Sequence, residues 1–247
     1  DQGADIIDIG VVSSRPGASL LPPETEAPKL AATTRLVRQI LPDTPLSVDT
    51  CYALPAQAAI EAGADIINDI SGGTFDPLML PTVAHLHVPY ILMHNRALPS
   101  LMQQHTGYDD IIDNLTKYFS EKLDQLYRLG IADIWIDPGF GFAKTTSENH
   151  QLLHRLNELT SLFHQPLLTA LSRKSMIYKP LGISPDDILS KMLVVEDNTA
   201  QGFMSAGASP RSFLSHYVSA EFIVHNLSFF LKGDVSTEEI LEEIGPG

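Results

Sequence analysis

Cysteine and tryptophan are almost absent from this 247-residue chain: each occurs once, the cysteine as Cys51. A lone cysteine excludes an internal disulfide and fits a reducing compartment, which leads us to expect a cytoplasmic protein. Free cysteines are usually buried bystanders, although Cys51 directly follows Thr50 and so also falls where a pocket rim would lie. Positive charge is scarce too. Sixteen Lys and Arg stand against 30 Asp and Glu, a formal charge of -14, which argues against nucleic acid and anionic membranes as partners. A small anionic substrate is still allowed, because a few local cations suffice to hold one. No apolar run is long enough to span a bilayer and no N-terminal signal pattern is visible. The nine histidines show no zinc spacing, and neither a nucleophile elbow nor a Walker loop occurs.

What the chain does have is a series of short apolar runs, each ending in a polar residue. They are Ile6–Gly10 with Asp8, Leu46–Thr50 with Asp49, Ile66–Ile70 with Asn68, Tyr90–His94, Ile134–Asp137 and Leu167–Lys174. Continuous apolar runs of this length read as buried parallel strands. Between them lie helical patterns at 29–41, 53–62, 76–86, 109–129 and 148–163, with further ones at 186–195, 213–231 and 237–244. The clearest is 109–129, where Ile112, Leu115, Phe119, Leu123 and Leu126 form one stripe before Gly130. Alternating strands and helices predict right-handed βαβ units on a parallel sheet, within one domain spanning 1–247. Polar exits on nearly every strand favour a (β/α)₈-type barrel, which rings them around one mouth. A doubly wound sheet would use only a few of them and would want a glycine fingerprint after the first strand; Gly10-Val11-Val12-Ser13 is not one.

Asp8, Asp49, Asn68 and Asp137 then form a set of acceptors on separate strands, able to hydrogen-bond the NH and NH₂ edge of a flat heterocycle if they converge. The alternative is that each caps the turn or helix after it. Arg15, Arg96, Arg173 and Lys174 each lie just after a strand end. The turn Ser172-Arg173-Lys174-Ser175 joins two cations to free backbone N–H groups and so reads as an anion site. The stretch from Ser13 to Pro23 reads as a mobile loop over the mouth, with Arg15 on it to steer or clamp an anion, and His94 as an acid–base or phosphate-binding candidate.

Taken in order, Asp8-Ile9-Gly10, Ser13-Ser14-Arg15-Pro16-Gly17, Ser47-Val48-Asp49-Thr50, Ile67-Asn68-Asp69-Ile70, Met93-His94, Asp137–Phe142 and Ser172–Met176 resemble the motifs of the dihydropteroate synthase family, from Gly3 to about Ser190. The resemblance implies a pterin-binding TIM barrel of folate biosynthesis. Such an enzyme is a transferase and sulfonamide target that joins p-aminobenzoate to 6-hydroxymethyl-7,8-dihydropterin diphosphate and releases pyrophosphate, usually with Mg2+. It implies pterin contacts from Asp8, Asp49, Asn68, Met93, Asp137 and Lys174. It places Ser14, Arg15, Pro16, Arg173, Ser175, His94, Arg211 and His216 on the p-aminobenzoate and diphosphate side, with Lys174, Asp137 and Arg15 nearest the chemistry. A homodimer through late helices is implied as well.

Two departures from the family pattern accompany the match. The family's first strand, which carries an asparagine near the metal, precedes anything readable here. The family's last strand carries an Arg-x-His pair, whereas Gly207–Val218 holds Arg211 and His216 at another spacing, with Pro210 between strand-like residues. The barrel is therefore expected to be incomplete at its first strand and atypical at its last, with a divergent helical tail over 196–247. The alternative function is a pterin-binding paralogue or scaffold without turnover. A methylfolate-dependent methyltransferase fits the Ser-Arg-Lys-Ser turn and the Arg-Pro-Gly loop less well.

Overall fold

The computed structural model describes residues 5–12, 17–171, 174–181 and 224–228. Strands and helices alternate along them: β1 (Ile6–Gly10), α1 (Pro23–Ile40), β2 (Leu46–Asp49), α2 (Ala53–Glu61), β3 (Ile66–Asp69), α3 (Met79–Leu86) and β4 (Tyr90–Met93) come first. They are followed by α4 (Ile111–Arg128), β5 (Ile134–Asp137), α5 (Thr146–His154), α6 (Leu156–Leu162), α7 (Ser175–Leu181) and β6 (Val224–Ser228). The sheet is parallel throughout, in the order β5-β4-β3-β2-β1-β6.

Strand alternation sorts the side chains. Ile7, Ile9, Leu46, Val48, Ile67, Tyr90, Leu92, Ile134 and Ile136 face the helices and join the main core with Leu30, Val37, Leu115, Phe119 and Leu126. The opposite face carries a small apolar group, Ile6, Ile66 and Ile91, with Trp135 and Leu168 against it. One step further along each strand, on that same face, stand Asp8, Asp49, Asn68, Met93 and Asp137. Pairing registers place Asp49 opposite Asn68 and Met93 opposite Asp137.

The sheet is curled. Neighbouring strands lie about 4.8 Å apart, so β1 and β5, four places apart, would be about 19 Å from each other if it were flat. Yet the carboxylates of Asp8 and Asp137 feel one another's charge, and Lys174 acts on both Asp49 and Asp137.

Helix boundaries follow local chemistry. α4 starts where Asp110 accepts the N–H groups of Ile112 (2.8 Å) and Asp113 (3.0 Å), and it buries the predicted stripe. α1 begins earlier than its apolar spacing indicates, with Pro23 at its start and Glu24 and Glu26 in the first turn. The single helix expected over 148–163 is two, broken at Arg155. Arg155 is bound to Asp110 (2.6 Å) and Glu158 (2.7 Å).

Two expectations are corrected. The run 167–174 does not form a strand: it contributes one parallel bridge from Leu167 to Ile136 before the chain turns away. Residues 167–171 are half-buried or exposed, with β5 as their sheet neighbour among the described residues, so they lack the two-sided cover a parallel strand needs. The predicted helix over 213–231 contains β6 instead, paired with β1 from Ile6–Val224 to Gly10–Ser228. Long-range pairing to the open edge of β1 overrides a weak helical pattern there. The last described strand thus lies after 207–218 rather than within it. The predicted helices at 186–195 and 237–244 lie outside the described residues.

Candidate active site at the carboxyl ends of the strands

Four of the predicted acceptors meet. Asn68 donates from Nδ2 to Asp8 Oδ2 at 3.0 Å, while its Oδ1 is buried with no hydrogen-bond partner among the described residues. An amide oxygen buried without a donor is costly, and a ligand N–H arriving there would relieve it. Asp49 is pushed well above the usual carboxylate range, first by burial and then by the charges of Asp8, Glu26 and Asp69, with Lys174 pulling the other way. Asp137 is raised to about 6 by burial, opposed by the Gly139 N–H and by Lys174 and Lys144. That Gly139 N–H donates to Asp137 Oδ1 at 2.7 Å, so Asp137 caps its own turn and also faces the cluster.

Lys174, held just before α7, is lowered by burial and sustained by Asp137 and Asp49. Its ammonium sits 4.7 Å from the ring centroid of Phe142, a cation–π distance. Gly141 passes so close that an added Cβ would lie 3.4 Å from Lys174 Cδ. Ser175 opens α7 beside it. Met93 is buried with Cys51, Ile70, Met102, Phe142 and Ala143 in an apolar floor for the cluster. Beside it a shallow pocket is lined by Val12, Leu20, Glu26, Asp49, Thr50, Cys51 and Ile70. Cys51 is thus both buried and at a pocket wall; burial and the neighbouring carboxylates push its thiol up, which makes it inert.

Other candidates are placed differently. His94, expected beside an anion, is 3% exposed. Its ring meets Tyr118 edge-on at 4.8 Å, and its Nδ1 is 3.1 Å from Lys144 Nζ. Burial and the cations Lys144 and Arg96 hold its pKa well below the usual value, which disfavours the charged imidazolium that would suit an anion. Arg96 is occupied as well: it bonds the carbonyls of His105 and Gly107 and lies 3.9 Å over Tyr108. Ser14, Arg15, Pro16, Arg173, Arg211 and His216 lie outside the described residues.

Two residues beside the cluster were not picked out from sequence. Glu26, buried on α1, accepts the Thr50 hydroxyl at 2.5 Å and is raised to about 7 by burial. A signal existed, since Glu26 falls on the same helical stripe as Leu30, Thr33, Thr34 and Val37, where a carboxylate is out of place. Lys144 had no comparable signal.

This geometry has counterparts. A family profile described as pterin binding enzyme matches residues 1–207. The chain belongs to the pterin-binding enzymes of the dihydropteroate synthase family. It is 45% identical over 181 residues to the dihydropteroate synthase of Synechocystis sp., covering 72% of this chain and 62% of that one. The chain therefore spans somewhat less than two thirds of that relative's length. Among solved structures, a Yersinia pestis dihydropteroate synthase in complex with a sulfonamide drug superposes with a TM-score of 0.73 at 34% identity, covering 81% of this chain and 73% of that one. The Xanthomonas albilineans synthase with 4-aminobenzoic acid gives 0.68 at 37% identity, covering 75% and 66%. The fold of this family member is of the (β/α)₈-barrel type expected from its strand exits.

Proposed function

We propose that this chain carries the dihydropteroate synthase activity of folate biosynthesis, a transferase reaction joining p-aminobenzoate to 6-hydroxymethyl-7,8-dihydropterin diphosphate. The observation that supports this best is the convergence of Asp8, Asp49, Asn68, Asp137 and Lys174 at one end of a curled parallel sheet. Carboxylate oxygens and Asn68 Oδ1, which has no partner among the described residues, suit the N–H and NH₂ groups of a pterin, and the Lys174 ammonium suits its acceptors. Met93 and Phe142 supply an apolar bed for the ring. Carboxyl groups raised toward neutral pH gain hydrogen bonds when the pterin replaces water, so binding relieves part of their burial cost.

In the reaction the methylene C–O bond breaks and its electron pair leaves with pyrophosphate. The aniline nitrogen then forms the new C–N bond and gives up a proton. Charge develops on the pterin methylene, and Asp137 and Asp49 are placed to stabilise it electrostatically, a larger effect in a dry site than in water. No covalent nucleophile is needed. Arg15 and Arg173 belong to the same proposal as cations for the diphosphate, with Ser14, Pro16 and Ser175 on the p-aminobenzoate side. That is where a sulfonamide would compete.

Mg2+ is proposed with the diphosphate, since it typically keeps several waters and binds through phosphate oxygens and one or two carboxylates. Among the described residues no group of three or more His, Cys, Asp or Glu is arranged to hold a metal ion, so they offer no protein cage for it. A homodimer and a cytoplasmic location are proposed on the family resemblance; no helix among the described residues is long and apolar enough to cross a membrane.

A coupled pyrophosphate assay with both substrates, alongside calorimetry with 6-hydroxymethylpterin, tests the proposal. Turnover requiring both substrates supports it. Pterin binding without pyrophosphate release would replace it with a non-catalytic pterin-binding role, and absence of heat from a folded sample would end both readings.

A further inference from the structure

Lys144 is the most unusual residue outside the proposed contacts. It is 3% exposed, yet among the described residues no carboxylate is bonded to it. Its Nζ reaches three acceptors: His94 Nδ1 at 3.1 Å, the Gly139 carbonyl at 3.0 Å and the Phe142 carbonyl at 3.1 Å. An ammonium has three N–H donors, so this cage satisfies its hydrogen-bonding capacity. The His94 ring turns its Nδ1 toward the Lys144 ammonium.

The three acceptors belong to two pieces of chain that carry the proposed site. His94 directly follows Met93, and its N–H is bonded to the Asp137 carbonyl at 2.8 Å. Gly139 and Phe142 bracket the turn whose first N–H caps Asp137 and whose ring lies beneath Lys174. Asn149 on α5 stitches the same turn from its far side, accepting from Gly141 N–H at 2.7 Å and donating to the Lys144 carbonyl at 3.2 Å. The turn has no other side-chain grip on β4 among the bonds of the described residues.

We infer that Lys144 is a positioning residue for pterin recognition: its ammonium clamps the Asp137–Phe142 turn to the end of β4 and so sets Asp137 and the Phe142–Lys174 pair against the pterin. The inference rests on the proposed function above. The groups facing Lys144 are consistent with a clamp. Asp137 and, more weakly, Glu148 sustain its charge, Arg96 and Lys174 oppose it, and the Tyr108 ring centroid is 6.0 Å away. Burial lowers its pKa to about 7, so the clamp is costly to keep charged. A purely structural filler at this place would not need an ammonium.

The test is Lys144→Met, which keeps length and removes every donor, compared with Lys122→Met. Lys122 grips the Gly72 carbonyl at 2.8 Å, a similar lysine–carbonyl bond on the Asp69 turn. The probe is 6-hydroxymethylpterin, titrated into folded full-length chain, with the His94 ring nitrogens followed by NMR. Lys144→Met is expected to weaken binding by about tenfold or more through misplacement of the turn, and Lys122→Met to stay within about twofold. The His94 Nδ1 resonance should move to that of an acceptor without a donor. Should Lys144→Met not fold, His94→Phe removes one acceptor of the clamp and is expected to weaken the probe as well. Unchanged affinity in a folded Lys144→Met, or in His94→Phe, overturns the inference, as does an unmoved His94 signal. A parent chain that does not bind the probe fails differently: it removes the functional reading on which the inference stands.

Discussion

Asp137→Asn should make the protein more stable at neutral pH while weakening its pterin affinity. Asp137 is buried and its carboxyl is raised from 3.8 to about 6, with burial the largest cause. That displacement corresponds to about 3 kcal/mol. The sign follows from linkage. A carboxyl whose folded-state pKa lies above its unfolded value favours folding while protonated, and that contribution is lost as pH rises through about 6. The parent chain therefore carries the full penalty at pH 7.5 and almost none near pH 4.

Asparagine keeps the shape and the Oδ1 acceptor for the Gly139 N–H but never ionises. Denaturant titrations should show the variant more stable by up to about 3 kcal/mol at pH 7.5, an upper bound because Lys174 loses a partner, with the gap closing toward pH 4. Affinity for 6-hydroxymethylpterin should fall about 10- to 100-fold, the usual worth of a hydrogen bond to a charged group. A variant less stable than its parent at pH 7.5, or a gap that is the same at both pH values, would refute the reasoning that burial strains this carboxylate.

Other expectations follow from neighbouring contacts. Thr50→Val removes the hydroxyl that Glu26 accepts at 2.5 Å. It should cost about 1–3 kcal/mol, more above pH 7 than at pH 5, since the bond favours the ionised Glu26; equal losses at both pH values would contradict this. Gly139→Ala would drive a Cβ into the His94 carbonyl oxygen at a positive φ of 68°. Neither backbone segment has room to yield, so a loss of about 3 kcal/mol or more is expected in thermal unfolding. Tyr90→Phe deletes the hydroxyl that donates to buried Asp69 at 2.7 Å and should cost about 1–3 kcal/mol by urea unfolding. The Ser71 and Gly73 N–H groups, each 2.7 Å from Asp69, remain to hold that turn.

Legibility differed by residue. The apolar runs identified β1 to β5, because a buried parallel strand needs unbroken apolar residues, and alternation then put Asp8, Asp49, Asn68 and Asp137 on one face. The same rule failed at 167–174, where apolar residues exist but two-sided pairing does not, and at Val224–Ser228, where an available sheet edge outweighed a weak helical pattern. Glu26 was visible only as an anomaly in the α1 stripe.

From β1 to β5, the alternation of strands and helices, and which side of each strand faces inward, were determined by the sequence alone, since both depend on near neighbours and a fixed two-residue period. Closure of the sheet was decided only in three dimensions. Curling brings Asp8 and Asp137 within reach although four strand spacings lie between them, and it strains carboxylates that would be ordinary on a flat surface. The meeting of His94 and Lys144 was decided at the same level. Fifty positions apart, they meet only because β4 and β5 lie side by side, and that contact sets the His94 ring against a buried lysine that no local pattern joins to it.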